Sequence, residues 1–331
     1  MRTDAASPER ATFAVADGLS AIDTVMTGRY LVTSAYLLDA LEPALVETGP
    51  TTSAEHVERG LAELGMGPND LAHVIVTHIH LDHAGGAGTI ARRYPNARVW
   101  VHERGAPHLA DPAKLVASTA RTYGEDRMRR FFGAVEPVPA ERLTAISDGD
   151  RISLGDREVS VFATPGHASH HVCLEDSRTG AVFAGDALGV HLPDVGVLRP
   201  ATPPPEFDIE LAVDSIERIR DHARTMLLLS HFGPVEEIGA LCDLAIRRIR
   251  GWGEEVRNAL RETDDVEEIA TILERRGAAE YLEDSGQPID MERYDVLSSI
   301  TMNAAGLMRY WKKRAEREAT ADQNAPPDQA S

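Results

Sequence analysis

Three histidines and an aspartate stand together at His78-Ile79-His80-Leu81-Asp82-His83. Imidazole nitrogen and carboxylate oxygen are the donors that zinc, iron and manganese accept. Histidines rarely gather on a solvated loop without such a task. The apolar stretch His73-Val74-Ile75-Val76-Thr77 precedes the cluster, and Ala84-Gly85-Gly86-Ala87-Gly88 follows it. The pattern predicts a strand, a ligand-bearing loop and then a helix over 89–94.

Three further candidates stand where other apolar segments stop: His167 after 158–163, Asp186 after 181–184 and His231 after 225–229. Loops at strand ends along one sheet edge converge, so they can share one site. With the opening cluster this makes five histidines and two aspartates, more donors than one zinc ion takes. Two ions that share a carboxylate account for the number, because the two oxygens of an aspartate can face different ions. No G-x-S-x-G elbow suggests a serine nucleophile instead.

The elements that must position these residues follow from periodicity. Segments 11–16, 22–26, 30–38 and 44–47 read as a β-meander that Glu47-Thr48-Gly49-Pro50 closes. A helix is expected from Thr52-Ser53 to about Leu64, with Glu55 completing a capping box. Strand 98–102 leads into helical segments over 105–132. Strands are expected at 138–141 and, around Asp148-Gly149-Asp150, within 146–154. Another is expected at 158–163, and a hairpin at 171–175 and 181–184. The proline-rich 192–207 reads as irregular, 208–224 as a helix and 225–229 as a buried strand. Helical periodicity then runs over 236–262, 264–276 and 290–318, closing on Lys312-Lys313-Arg314, which suits a helix C-terminus. The expected organisation is a disordered 1–10, a catalytic domain over 11–234, a helical C-terminal extension over 235–318 and a disordered tail over 319–331.

His78-x-His80-x-Asp82-His83, Thr164-Pro165-Gly166-His167, Gly185-Asp186 and Ser230-His231-Phe232-Gly233 resemble, in order and spacing, the metallo-β-lactamase fold superfamily of metallohydrolases. The resemblance covers roughly 11–234 and leans to the glyoxalase II-like and lactonase-like branches. It implies an α/β fold, a four-layer αββα sandwich with the metals at one edge. It assigns His78, His80 and His167 to one metal and Asp82, His83 and His231 to the second, with Asp186 bridging. Asp82 would also orient the nucleophile. Aspartate instead of cysteine at 186 argues against lactams. The family places an aspartate before Thr-Gly in the early turn; Glu47 stands there and would take its supporting role. The implied cofactors are two divalent ions, zinc first, with iron or manganese as alternatives. The implied activity is hydrolysis of a small ester, thioester or lactone by a metal-bridging hydroxide. An iron-dependent oxidoreductase of the persulfide dioxygenase kind is the first alternative, and a phosphodiesterase or nuclease the second.

Other residues are weighed beside this set. His170 or His171 could support a ligand, and His191 could meet substrate. Tyr123 is expected to pack inward or to line a lid. His73 reads as structural, and His102 and His108 as solvated. Tyr281, Tyr294, Tyr310, Trp252 and Trp311 read as core. No basic pair suited to glutathione stands out in 236–300.

A net charge of -19 over 331 residues repels phosphate backbones. The expected partner is therefore a small-molecule substrate, with no nucleic acid and no membrane; a homodimer stays open. Cys173 and Cys242 lack CxxC spacing and read as core thiols, which suits a cytoplasmic protein. No signal peptide or membrane-length apolar run is legible.

Overall fold

A computed structural model describes residues 11–192, 196–288 and 298–323. Two sheets form its centre. The first has seven strands in chain order: β1 (Thr12–Ala16), β2 (Leu19–Asp23), β3 (Ser34–Leu38), β4 (Ala44–Val46), β5 (His73–Ile75), β6 (Arg98–His102) and β7 (Leu143–Ile146). Strands β8 (Arg151–Ser153), β9 (Glu158–Ala163), β10 (Val172–Asp176), β11 (Val182–Gly185), β14 (Leu227–Leu229) and β15 (Gly233–Val235) form the second, in the order β15-β14-β11-β10-β9-β8. Strands β12 (Val190–Leu192) and β13 (Val197–Arg199) make a separate hairpin.

Both faces of each sheet are covered, and the side-chain alternation shows how. Tyr36, Leu38, Val46 and Ile75 point between the sheets, where they meet Val159, Val161, Leu174 and Phe183. Their neighbours Leu37, Leu45 and Val74 point outward, onto Val57 and Leu61 of α1 (Ala54–Glu63) and Ile90 of α3 (Ala87–Arg93). On the second sheet Leu228 faces inward, while Leu227 and Leu229 meet the outer helices. Those helices are α7 (Ile209–His222), α8 (Ile238–Ala259), α9 (Val266–Ser285) and α10 (Ile300–Gln323). Period-two burial on two apolar faces is what a helix–sheet–sheet–helix stack requires, and the expected αββα architecture is present. The fully buried Trp252 and nearly buried Tyr281 and Tyr310 are core residues, as are the two free cysteines. The helices after 234 share one apolar core with α7 and the second sheet.

Several local expectations are corrected. The second strand ends at Asp23, because Val25 and Thr27 take left-handed backbone angles (φ 49° and 58°) in a tight turn, and the third starts only at Ser34. The capping box at Thr52 does not form. A 3-10 turn covers Thr51–Ser53, and the Thr52 hydroxyl donates to Phe131 O at 2.7 Å. The stretch 138–141 is no strand: Ala140–Arg142 is a 3-10 turn, and pairing begins at Leu143, beyond Pro137 and Pro139, which lack the N–H a ladder uses. The irregular 192–207 holds one arm of the β12–β13 hairpin. Helix α9 continues to Ser285. Helix α10 continues to Gln323, so Lys312-Lys313-Arg314 lies mid-helix and 319–323 is helical. The expected disorder of 1–10, the tail beyond 323, Tyr294 and the helix start at 290–297 lie outside the described residues.

Candidate metal centre

The candidate ligands come from strand ends that lie on one edge. Strands β4 and β5 run parallel, and so do β11 and β14. The two sheets are joined at that edge: Ser34 N–H donates to Ser230 O (2.8 Å), Tyr36 O–H to Leu229 O (2.6 Å) and Val172 N–H to Thr77 O (2.9 Å). Asp82 and His83 sit not on an open loop but on a single helical turn, α2 (Leu81–Ala84), with the next helix beginning at Ala87.

Two triads result. The donor atoms of His78, His80 and His167 lie within 4.8 Å of one another, as do those of Asp82, His83 and His231. Asp186 stands between them. Its Oδ1 is 3.2 Å from His83 Nε2 and 3.5 Å from His231 Nε2, and its Oδ2 is 3.6 Å from His167 Nε2. The seven residues singled out in the sequence are thus brought together.

Hydrogen bonds on the far side of the His78, His167 and His231 rings fix the tautomer, and with it the nitrogen that faces the centre. His167 Nδ1 donates to Ala201 O (3.1 Å) and His231 Nδ1 to Val32 O (3.1 Å), so each presents a bare Nε2 when neutral. Thr77 Oγ1 gives its proton to Glu47 Oε1 (2.5 Å), so it accepts from His78 Nδ1 (3.0 Å). His78 Nε2 and His167 Nε2 then both face His80 Nδ1, at 3.0 and 2.9 Å, where one proton cannot serve both. In the other triad His83 Nε2, His231 Nε2 and Asp186 Oδ1 are buried without a hydrogen-bond partner among the described residues. Convergent lone pairs and orphaned donors fit divalent ions.

The electrostatics agree. Burial favours neutral Asp82, but His83 and His231 outweigh it and lower its pKa to about 2. Asp186 is likewise held well below the carboxylate range against its burial, chiefly by His83. Burial favours neutral His83 and His231, yet Asp186 and Asp82 prevail, pushing His231 up to about 9 and His83 well above its usual value. These carboxylates call for positive charge, which a metal ion supplies.

Glu47 fills the supporting role. It is buried with left-handed φ (65°), accepts from Thr77 and Ser230 (3.2 Å), and places Oε1 3.5 Å from His83 Nδ1. His171 is the supporting residue that the sequence left level with His170. Its Nε2 accepts the Asp186 N–H (3.1 Å) while Nδ1 donates to Thr164 Oγ1 (2.8 Å). Gly185 makes room for it: a Cβ there would fall 2.5 Å from His171 Nε2 and 2.6 Å from Thr77 Oγ1, and its φ is +50°. His73 is structural as expected, paired with Glu42 (3.1 Å) and accepting from Trp100 Nε1 (2.9 Å).

A cavity of about 420 Å³ opens on His80, Asp82, His167 and Asp186. Helices α4 (Ala106–Ala110), α5 (Ala113–Tyr123) and α6 (Glu125–Phe132) wall one side, through His108, Leu115, Tyr123 and Phe132. Residues 201–206 and the start of α10, with Met302 and Asn303, wall the other. Asn303 is locked there: its Oδ1 accepts the Thr202 N–H (2.7 Å), and its Nδ2 donates to Ser298 (2.7 Å). Both the 105–132 helices and the C-terminal helices therefore shape the cavity. His170 lines it, with Nδ1 buried and unpartnered. His108, expected to be solvated, also lines it. His191 does not line it; it sits on β12, and its N–H donates to His231 O (2.6 Å).

A family model described as the metallo-beta-lactamase superfamily matches residues 28–231. The chain belongs to this superfamily. Among curated members it is 33% identical over 136 residues to the acyl-coenzyme A thioesterase MBLAC2 of Gallus gallus, spanning 38% of this chain and 44% of that one. It is 36% identical over 112 residues to the hydroxyacylglutathione hydrolase of Maricaulis maris, spanning 34% and 32%. Each match spans less than half of the relative's length. A metallo-beta-lactamase family protein from Thermus thermophilus, TTHA1429, superposes with a TM-score of 0.64 at 22% identity, covering 91% of this chain and 95% of that one. That likeness shows the fold.

Proposed function

We propose that this superfamily member is a hydrolase of small esters, thioesters or lactones that works with two divalent metal ions, zinc first. The observation that carries this reading is Asp186, whose two carboxylate oxygens face different triads. The partial matches to a thioesterase and a hydroxyacylglutathione hydrolase support it.

Paired divalent ions supply Lewis acidity and lower the pKa of water toward neutrality. The chain's own residues do the rest. His78, His80 and His167 would hold one ion, Asp82, His83 and His231 the other, and Asp186 would touch both. Ionised Asp82 lines the cavity and can hold the proton of the attacking water. Burial lowers the pKa of His170 to about 4, so its neutral ring offers the substrate a hydrogen bond. Burial, with Asp82 and Asp186 nearby, pushes the Tyr123 phenol up, which keeps it a donor to a substrate oxygen. Leu115 and Phe132 add apolar surface on that side.

The two buried free cysteines support a cytoplasmic setting. The acidic surface supports a small-molecule substrate over a nucleic acid.

The test is elemental analysis joined to a screen of ester, thioester, lactone and phosphodiester substrates. The reading expects about two metals per chain and hydrolysis that His167→Ala abolishes together with metal. A single iron per chain with oxygen uptake would overturn it in favour of an oxidoreductase.

A further inference from the structure

We propose that Arg104 and Lys114 form an anion subsite in the cavity, so that the preferred substrate carries a negative group remote from the bond that is cleaved. This names the substrate class of the hydrolase reading above and rests on it. In a chain of net charge -19, the cavity wall opposite residues 201–206 presents two cations, Arg104 just before α4 and Lys114 in the first turn of α5. Both are exposed, and neither side chain has an ion pair or hydrogen bond among the described residues. Glu206 is the acidic neighbour that feels the charge of Arg104, without an ion pair between them among the described residues. Glu206, which also lines the cavity, accepts the Ser169 N–H at 2.9 Å, and Asp111 accepts the Ala113 N–H at 3.2 Å.

The root of Arg104 is fixed against the metal loop. A Cβ on Gly105 would lie 2.6 Å from Ile79 Cγ2 and 2.9 Å from Val101 Cγ2, so the backbone here is pressed onto the residue between His78 and His80. Gly105 N–H donates to His102 O (2.7 Å) and Arg104 N–H to His102 Nδ1 (3.2 Å). Leu115, next to Lys114, lines the same cavity as Phe132 and Met302. Leu115 and Phe132 on one wall and Met302 on the other thus offer an acyl chain apolar contact beside the hydroxyls of Ser118, Thr119 and Thr122, and Arg104 and Lys114 stand in the same lining. Arginine and lysine both bind phosphate and carboxylate, so the anion could be either, carried on the thiol or alcohol part of the substrate.

Uncleavable thioethers test the subsite without turnover. Calorimetry on metal-loaded protein would compare S-hexyl-coenzyme A (phosphates), S-hexylglutathione (carboxylates) and neutral S-hexyl-N-acetylcysteamine. At least one anionic probe should bind about tenfold tighter than the neutral one, with the advantage falling as salt rises. Which probe wins distinguishes phosphate from carboxylate. Arg104→Gln/Lys114→Gln should erase the advantage, and Arg104→Lys/Lys114→Arg should keep most of it, with metal content and circular dichroism confirming the fold. An equal affinity for all three probes in the wild type, or an advantage that survives the double Gln change, overturns the subsite. If the double variant does not fold, the single changes and the wild-type salt dependence decide. Hydrolysis of the matching hexanoyl thioesters runs in parallel: its absence would count against the hydrolase reading, while the binding preference still decides the subsite.

Discussion

His171 Nε2 accepts the backbone N–H of Asp186 at 3.1 Å, so an imidazole that faces no ligand atom sets the position of the carboxylate between the two triads. Its other nitrogen donates to Thr164, which holds the required tautomer. Burial keeps the ring neutral, its pKa well below the usual value. His171→Ala should leave the fold intact and weaken metal binding about 10- to 100-fold, the usual loss for such a supporting partner. Competition with a chelator reads this. His171→Gln, whose amide oxygen can accept the same N–H, should recover part of it; metal binding unchanged in His171→Ala would remove the residue's assigned role.

Glu47 acts on both triads through one oxygen. It takes the Thr77 proton that orients His78, and it faces His83 Nδ1. Glu47→Gln keeps the shape and one acceptor but removes the charge. Metal retention after dialysis should fall about tenfold, with little change in melting temperature of the metal-loaded protein. Retention equal to wild type would show that shape alone suffices.

The candidate ligands were legible in the sequence because chemistry restricts residue type while strand ends restrict place. His167, Asp186 and His231 each follow a run of apolar residues, and the runs themselves give the edge. Supporting residues are harder to read. His170 and His171 are neighbours, and adjacent side chains at a strand start point to opposite sides. Which one enters the cavity depends on the register of β10, which sequence does not print. The placement of His108, Arg104 and Lys114 on the cavity wall depends on how three short helices fold back, and no periodicity encodes that. The ends of β2 and α10 were missed for local reasons: positive-φ residues without glycine at Val25 and Thr27, and a polar last stretch of helix that reads as a tail.

Arg157 forms a buried ion pair within the second sheet and reaches from there to the first. Its Nε donates to Asp176 Oδ1 (2.9 Å), and a second guanidinium nitrogen donates to Oδ2, while Nη1 reaches Gly18 O in the β1–β2 turn (2.7 Å). Burial would raise the Asp176 pKa, but Arg157 and Thr179 outweigh it and hold the carboxyl below its usual value. A depressed carboxyl contributes stability above its unfolded pKa and loses it as pH falls through the folded value. Arg157→Met leaves the carboxylate uncompensated and should cost about 3–5 kcal/mol at neutral pH. The deficit should shrink toward pH 4, because the stranded carboxyl can then take up a proton. Urea unfolding at both pH values measures this, and a deficit independent of pH would contradict it.

Asp23 works in the opposite sense. Its Oδ1 accepts the Val25 N–H and its Oδ2 the Leu31 N–H, both at 2.8 Å, closing the loop that ends at Val32, whose carbonyl orients His231. Burial raises its pKa to about 6, and the two N–H donors offset only part of that rise. A carboxyl raised in the folded state binds its proton more tightly there, so its contribution is fullest below the unfolded value of 3.8 and fades as pH climbs through about 6. Asp23→Asn cannot titrate, and its amide turns one acceptor into a donor facing an N–H, a loss of about 1–3 kcal/mol. The stability gap between wild type and Asp23→Asn should therefore be widest near pH 4 and narrow by up to about 3 kcal/mol by pH 7. Because the same loop carries Val32, the variant should also hold less metal in the Asp82, His83, His231 triad. A gap that widens with pH would show that the two N–H bonds, not burial, dominate at this carboxylate.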